Sequence, residues 1–538
     1  MLLLTTLLLF AGCAPASPDI SPRNPHVDVV HYAFSLTLSD ESNELFGEAT
    51  LSVRFLAPGV SALDLDLVGP ARTGKGMQVT AVRAGDQELR FTHEDDRLRI
   101  PLTPVPAAEA QRVFTIFYHG TPADGLIISN NKHGDRTFFG DNWPNRAHHW
   151  LPTVDHPSDK ATVEFIVTAP EHYQVIASGT RVEETDLPDE RRLTHWRSTV
   201  PLATKVMVIG AARFAVQYLD EYEGVPVESW VYPQDRDAGF YDYALAEPIL
   251  QYFSSHVGPY PYEKLANVQS KTRYGGMENA GNIFYTEGSV TGNRQSESLL
   301  AHEIAHQWFG DSVTERDWHH IWLSEGFATY FTQLYLEHTY GRDRLVAGMK
   351  KTRADVLHYY AGHPDSPVVD TTITELNDLL STNAYQKGGW VLHMLRYVVG
   401  DTAFWDGIEA YYRQYRDGNA LTVDFQRVME AAAGRDLGWF FRQWLFQPGQ
   451  PDIQGGWRYD TATRQLTITL NQVQPGGAPF RFLLELGLYS DAGTPPHIEV
   501  VDVTRPSHTF TFTLDAAPSD VVLDPNTWIL MKADFTRQ

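Results

Sequence analysis

His302-Glu303-Ile304-Ala305-His306, followed by Glu325 in Trp322-Leu323-Ser324-Glu325-Gly326-Phe327-Ala328, is the stretch that decides the architecture. In a helix the two histidines stand at i and i+4, so both rings leave one face toward a shared ion. Glu303 follows the first histidine and can reach a water on that ion. Leu299, Leu300, Ile304 and Ala305 make the helix mostly apolar, and Gly310 closes it. Ionisable groups in such a helix need partners or a metal. Two neutral imidazoles and one carboxylate leave the fourth position of a zinc ion open for water, as a catalytic site requires. Glu325 begins the next amphipathic segment and supplies that carboxylate. Eighteen residues separate it from His306. The bland alternative is a helix with satisfied histidines.

Working outward, periodicity divides the chain. Residues 32–38, 49–55, 113–118 and 162–167 alternate, or nearly alternate, apolar and polar side chains between turn signals. That predicts an all-β domain over 26–214. Helical spacing then runs over 299–309, 322–340, 389–399, 404–415 and 423–433, predicting a helix-rich domain over 215–449. Alternation returns at 465–470, 508–514 and 521–523, predicting a small β-sandwich over 452–538. The fold class expected is multidomain α+β.

Residues 1–25 read as a signal and linker. Leu2 to Phe10 is mostly apolar, then comes Ala11-Gly12-Cys13. This resembles the lipobox of a bacterial lipoprotein, with Cys13 as the lipidated residue. Phe10 stands where Leu is usual, and the preceding region lacks Lys or Arg. An ordinary cleaved signal, with Cys13 incidental, is the alternative. Localisation is expected at the bacterial cell envelope, lipid-anchored and facing the periplasm, or otherwise secreted. Cys13 is the only cysteine, so no internal disulfide forms. No other stretch reaches about 18 apolar residues, so any membrane attachment runs through the lipid.

The net charge of −24 argues against nucleic acid, which needs basic grooves, and against docking on anionic lipid. An acidic field favours cationic ligands such as a peptide's free amino terminus, although an acidic, well-solvated surface is the simpler main cause of the charge.

The histidine motif, its spacing to Glu325 and three further segments together resemble the M1 family of zinc aminopeptidases. Gly275-Gly276-Met277-Glu278-Asn279 resembles that family's G-x-M-E-N exopeptidase motif. Ala384-Tyr385-Gln386-Lys387-Gly388 resembles the segment of its catalytic tyrosine. Residues 440–449 resemble the usual end of its catalytic domain. The resemblance implies a thermolysin-like catalytic domain, one zinc per chain held by His302, His306 and Glu325, and peptide substrates with a free amino end. Glu303 matches the general base and Tyr385 the donor to the oxyanion. Glu278 matches the reader of the substrate ammonium, within a substrate-binding strand of Gly275, Gly276, Met277, Glu278 and Asn279.

Two departures follow. The family supplies a second amine ligand, a Gln, upstream of a segment matched here by Leu151-Pro152-Thr153-Val154-Asp155-His156-Pro157. Counting back gives Asp141, Asn142 and Trp143, and Asp141 is the expected replacement. Longer family members continue into a helical carboxy-terminal domain, so a more open cleft is expected here unless a partner subunit closes it. Two other functions share this fold in principle: a lipid-epoxide hydrolase like leukotriene A4 hydrolase, and an inactive peptide-binding relative. Oligomeric state and the preferred amino-terminal residue are not legible.

Overall fold

The computed structural model describes residues 22–476, 478–490 and 494–538. Cys13 lies outside the described residues. Among those described, no helix is long and apolar enough to cross a membrane.

The amino-terminal region is built on an eight-stranded sheet. At its centre Val27–Thr37 lies between Leu45–Phe55, antiparallel, and Lys160–Pro170, parallel. Alternation sets the faces: Ala161, Val163, Phe165, Val167 and Ala169 are buried, and the residues between them are partly exposed. Register then places Phe34 opposite Phe165, with ring centroids 5.5 Å apart. Two smaller sheets complete the region, one of four strands and one of three.

The middle region is helix-rich, and it also holds a five-stranded sheet that alternation does not announce. Its order is Ala215–Tyr222, Val225–Val231, Leu265–Ser270, Asn282–Thr286 and Gly276–Met277. Every residue of Leu265–Ser270 is buried, so that strand has no polar face to produce a period of two. Gly276–Met277 is an edge strand, antiparallel to Asn282–Thr286. The helices that matter here are the motif helix Glu297–His306, the ligand helix Trp322–Tyr340 and the wall helix Arg342–Gly362. The wall helix escapes the periodicity reading because few of its 21 residues are buried.

After Pro451 the chain forms two sheets, one of four strands and one of three. They dock on the helices. His393 on Gly388–Val399 meets the Thr527 carbonyl at 2.9 Å, and Arg353 on the wall helix pairs with Asp524 at 2.9 Å. The amino-terminal region is tied to the middle by buried charge. Lys205 pairs with Glu315 at 2.6 Å, and Lys160 donates to the carbonyls of Asp311 and Ser312 at 2.8 Å.

Candidate metal centre and active site

The motif helix and the ligand helix pack together and bring His302, His306 and Glu325 to one point. His306 Nε2 lies 3.2 Å from His302 Nε2 and 3.2 Å from Glu325 Oε2, and His302 Nε2 lies 3.5 Å from the same oxygen. Bonds of 2.0–2.1 Å to a tetrahedral zinc place ligand atoms about 3.3 Å apart, so the three atoms fit the ion. Glu325 Oε2 is buried and makes no hydrogen bond, as expected of an atom reserved for a metal. On the far side of the His306 ring, Nδ1 lies 3.1 Å from the Phe309 carbonyl and 3.0 Å from Ser324 Oγ. Donation from Nδ1 to that carbonyl leaves the Nε2 lone pair for the ion.

The charge balance also calls for a cation. Glu278, Glu303 and Glu325 are 6%, 5% and 4% exposed and line one cavity of about 560 Å³. Burial pushes the Glu303 carboxyl well above the ordinary carboxylate range, and the charges of Glu278 and Glu325 push it further. Burial opposes charge on His306, yet Glu325 and Glu278 outweigh it and raise the imidazole to about 10. A divalent ion supplies that positive charge and lets the rings stay neutral ligands.

Tyr385 reaches the site from a π-helical turn, Asn383–Lys387, that runs into Gly388–Val399. Its ring lies nearly parallel to that of His302, with centroids 6.0 Å apart. Burial and the neighbouring Glu325 and Glu278 hold its hydroxyl well above the usual phenol range, so it stays a donor. The approach depends on two glycines: a Cβ on Gly326 would sit 2.9 Å from Gly388 Cα. Larger residues would push the tyrosine's helix off the ligand helix.

The edge strand forms the opposite wall. Gly275, Gly276, Met277 and Glu278 all line the cavity. A methyl group on Gly276 would overlap the Glu303 carboxylate. Gln307, the residue after the motif, holds this wall to the motif helix. Its Nε2 donates to the Glu278 carbonyl at 2.7 Å, and its Oε1 accepts from the Gly281 amide at 2.8 Å. Sequence reading missed Gln307; a buried amide on an apolar helix, directly after two metal ligands, is the signal that could have found it.

Two expected substrate contacts are corrected. Asp141 is 0% exposed and is absent from the cavity wall. Its carboxylate pairs with Arg146 at 2.5 Å and accepts the Arg273 amide at 3.1 Å, so it braces the loop leading into Gly275. The cavity residue of that segment is Trp143, two positions on, set edge-on to Tyr274. A bulky indole projects farther than a short carboxylate already neutralised by arginine. Asn279 is likewise fully buried and outside the cavity wall.

The sequence matches two family profiles, the Peptidase M1 N-terminal domain over residues 29–206 and the Peptidase family M1 domain over residues 241–444. It is 26% identical over 327 residues to probable aminopeptidase 2 of Sulfurisphaera tokodaii, covering 57% of this chain and 41% of that protein. It is 27% identical over 326 residues to human glutamyl aminopeptidase, covering 58% of this chain and 34% of that protein. The chain thus spans less than half the length of these relatives. In fold it is similar to Legionella pneumophila aminopeptidase A, solved in complex with aspartic acid. The TM-score is 0.82 at 18% identity, over 97% of this chain and 61% of that one.

Proposed function

The chain belongs to peptidase family M1, and from that premise we propose that it removes single residues from the free amino ends of peptides. The observation that carries this reading is a carboxylate, Glu278, buried in the same cavity as the zinc site of His302, His306 and Glu325. A buried carboxylate beside the reacting centre pairs with the substrate ammonium and sets the scissile carbonyl one residue from the end.

Zinc, when bound, supplies a Lewis acid and a water of lowered pKa. Glu303 takes a proton from the attacking water and passes it to the leaving amine. Tyr385 donates a hydrogen bond to the oxygen that gains charge, an interaction often worth about 3 kcal/mol. Gly275 and Gly276 offer an open strand edge to an extended peptide.

The test is a double cycle of Glu278→Gln against acetylation of the substrate amine, with aminoacyl-coumarin and peptide substrates. Each change alone should sharply reduce hydrolysis, and the two losses should not multiply. Fast cleavage of acetylated peptides by the wild type would refute the exopeptidase reading.

We also propose a lipid-tethered, extracytoplasmic location, supported by the apolar run before Cys13. Cys13→Ala should move the protein from the membrane fraction to the soluble one. Retention in the membrane fraction would point to a different tether.

A further inference from the structure

The metal end of the cavity is accounted for by this chemistry; the opposite end is not. The ligand helix leaves the metal site at Glu325 and lines the cavity again at Thr329, Thr332 and Gln333. Eight residues of helix carry Gln333 about 12 Å from Glu325. Facing it, the wall helix turns Arg344, Gly348 and Lys351 into the same cavity, at i, i+4 and i+7. The two helices meet at Gly348, where a Cβ would overlap the Gln333 amide oxygen and lie 3.5 Å from Arg344 Nη1. Glycine there gives the Gln333 amide room between the two helices.

Among the described residues, neither Arg344 nor Lys351 forms an ion pair or a side-chain hydrogen bond. That is unusual in a chain of net charge −24, where acidic partners are plentiful. Asp355, one turn beyond Lys351, also lines the cavity but makes no ion pair with it.

Direction follows from the strand. With the ammonium at Glu278 and the scissile carbonyl at the metal site, the peptide continues past Gly276 and Gly275. A Cβ on Gly275 would lie 3.6 Å from Leu299, which sits one turn before His302 on the motif helix. The start of the motif helix lies beside that stretch of the ligand helix, where Tyr335 donates to Glu297 at 3.2 Å, so the downstream residues run toward Gln333 and the two cations. An extended chain advances about 3.4 Å per residue, so 12 Å, less about 3 Å for the carboxylate contact itself, holds two or three residues beyond the scissile bond and three or four in all. The cavity is acidic where a peptide is cationic and basic where a short peptide ends in a carboxylate.

The geometry points to a carboxylate subsite formed by Arg344 and Lys351, which selects peptides of three or four residues by their free carboxy terminus. This rests on the aminopeptidase reading above. The subsite makes the enzyme a finisher of short peptides, consuming products of an endopeptidase.

The experiment compares kcat/KM for tri- and tetrapeptides ending in a free acid with the same peptides amidated. Zinc-loaded wild type is measured beside an Arg344→Met/Lys351→Met variant, with Arg344→Lys as the conservative control. Because acid and amide are compared within each protein, general losses of activity cancel. The wild type should prefer the acid by about tenfold, chiefly through KM, as expected of two partly solvated charge contacts. The double variant should bring the ratio near one, and Arg344→Lys should keep most of it. A third arm uses amidated pentapeptides with Glu at the third or fourth position. A preference for these equal to that for the free acid would overturn terminal-carboxylate reading in favour of an acidic side-chain pocket. A wild-type ratio near one, with turnover intact, overturns the subsite and leaves the aminopeptidase reading standing. Absence of turnover on every free-amine substrate, coumarins included, overturns both.

Discussion

The two ends of the cavity are built by opposite means. At the metal end the working groups are buried, His302 and Tyr385 only partly so, and all are backed by structure. His306 is braced by Phe309 and Ser324, Glu303 faces a glycine, and the Glu278 strand is held by Gln307. At the far end Arg344 is half-buried and Lys351 exposed, on a helix with little buried surface. Bond chemistry needs charges fixed before the reaction, in a place where water does not weaken them. Reading where a substrate stops needs only a favourable field, and flexible cations provide it. The contrast predicts that damage to the reacting groups of the first end appears in kcat, and damage to groups that only hold the substrate, at either end, in KM.

The largest expected break is at Glu303. Glu303→Gln keeps the shape and removes the base, so kcat should fall about a hundredfold or more with zinc retained. His306→Ala should instead lower zinc content well below one per chain. Metal analysis beside turnover separates the two, and full zinc in His306→Ala would refute its assignment as a ligand.

A methyl group tests how tightly the buried end is set. Gly276→Ala should displace the Glu303 carboxylate and cut kcat by about tenfold, with melting temperature little changed. Unchanged kcat would show that Glu303 tolerates movement. Gln307→Leu removes the clamp on the Glu278 strand. It should cost about 1–3 kcal/mol of stability, because two backbone groups lose partners, and raise KM for free-amine substrates several-fold. A normal melting curve and a normal KM would leave Gln307 without a positioning role. The smallest effect sharpens the comparison directly. Raising salt from 50 to 500 mM should raise KM for short free-acid peptides by about threefold, since exposed cations are screened. Aminoacyl-coumarin turnover, which uses only the buried end, should change less; equal sensitivity would place both ends in the same solvent environment.

Much of the buried end was legible beforehand because its spacing is local. Histidines four apart share a helix face whatever surrounds them. Glu278 and Tyr385 were reached through motif resemblance, and the fold brings both to the cavity. Asp141 was misjudged because counting residues along the chain says which position it holds, not whether an arginine five residues on has already taken its charge. Asn279 failed for a similar reason, being one residue past the point where the strand leaves the cavity. The wall helix and its cations were not picked out by periodicity, since its buried apolar positions, Leu345, Met349, Val356 and Tyr360, are few and widely spaced among polar residues.

By itself, then, the sequence determined the α+β class and the metal triad, because helix and strand periods and ligand spacing are properties of neighbouring residues. Tertiary structure alone decided which side chains share the cavity. It turned Asp141 into a brace, admitted Trp143, set Gly276 against Glu303, and laid Arg344 and Lys351 across from the zinc site. Those outcomes depend on how separate elements pack and on which charges find partners first, and neither is written in local spacing.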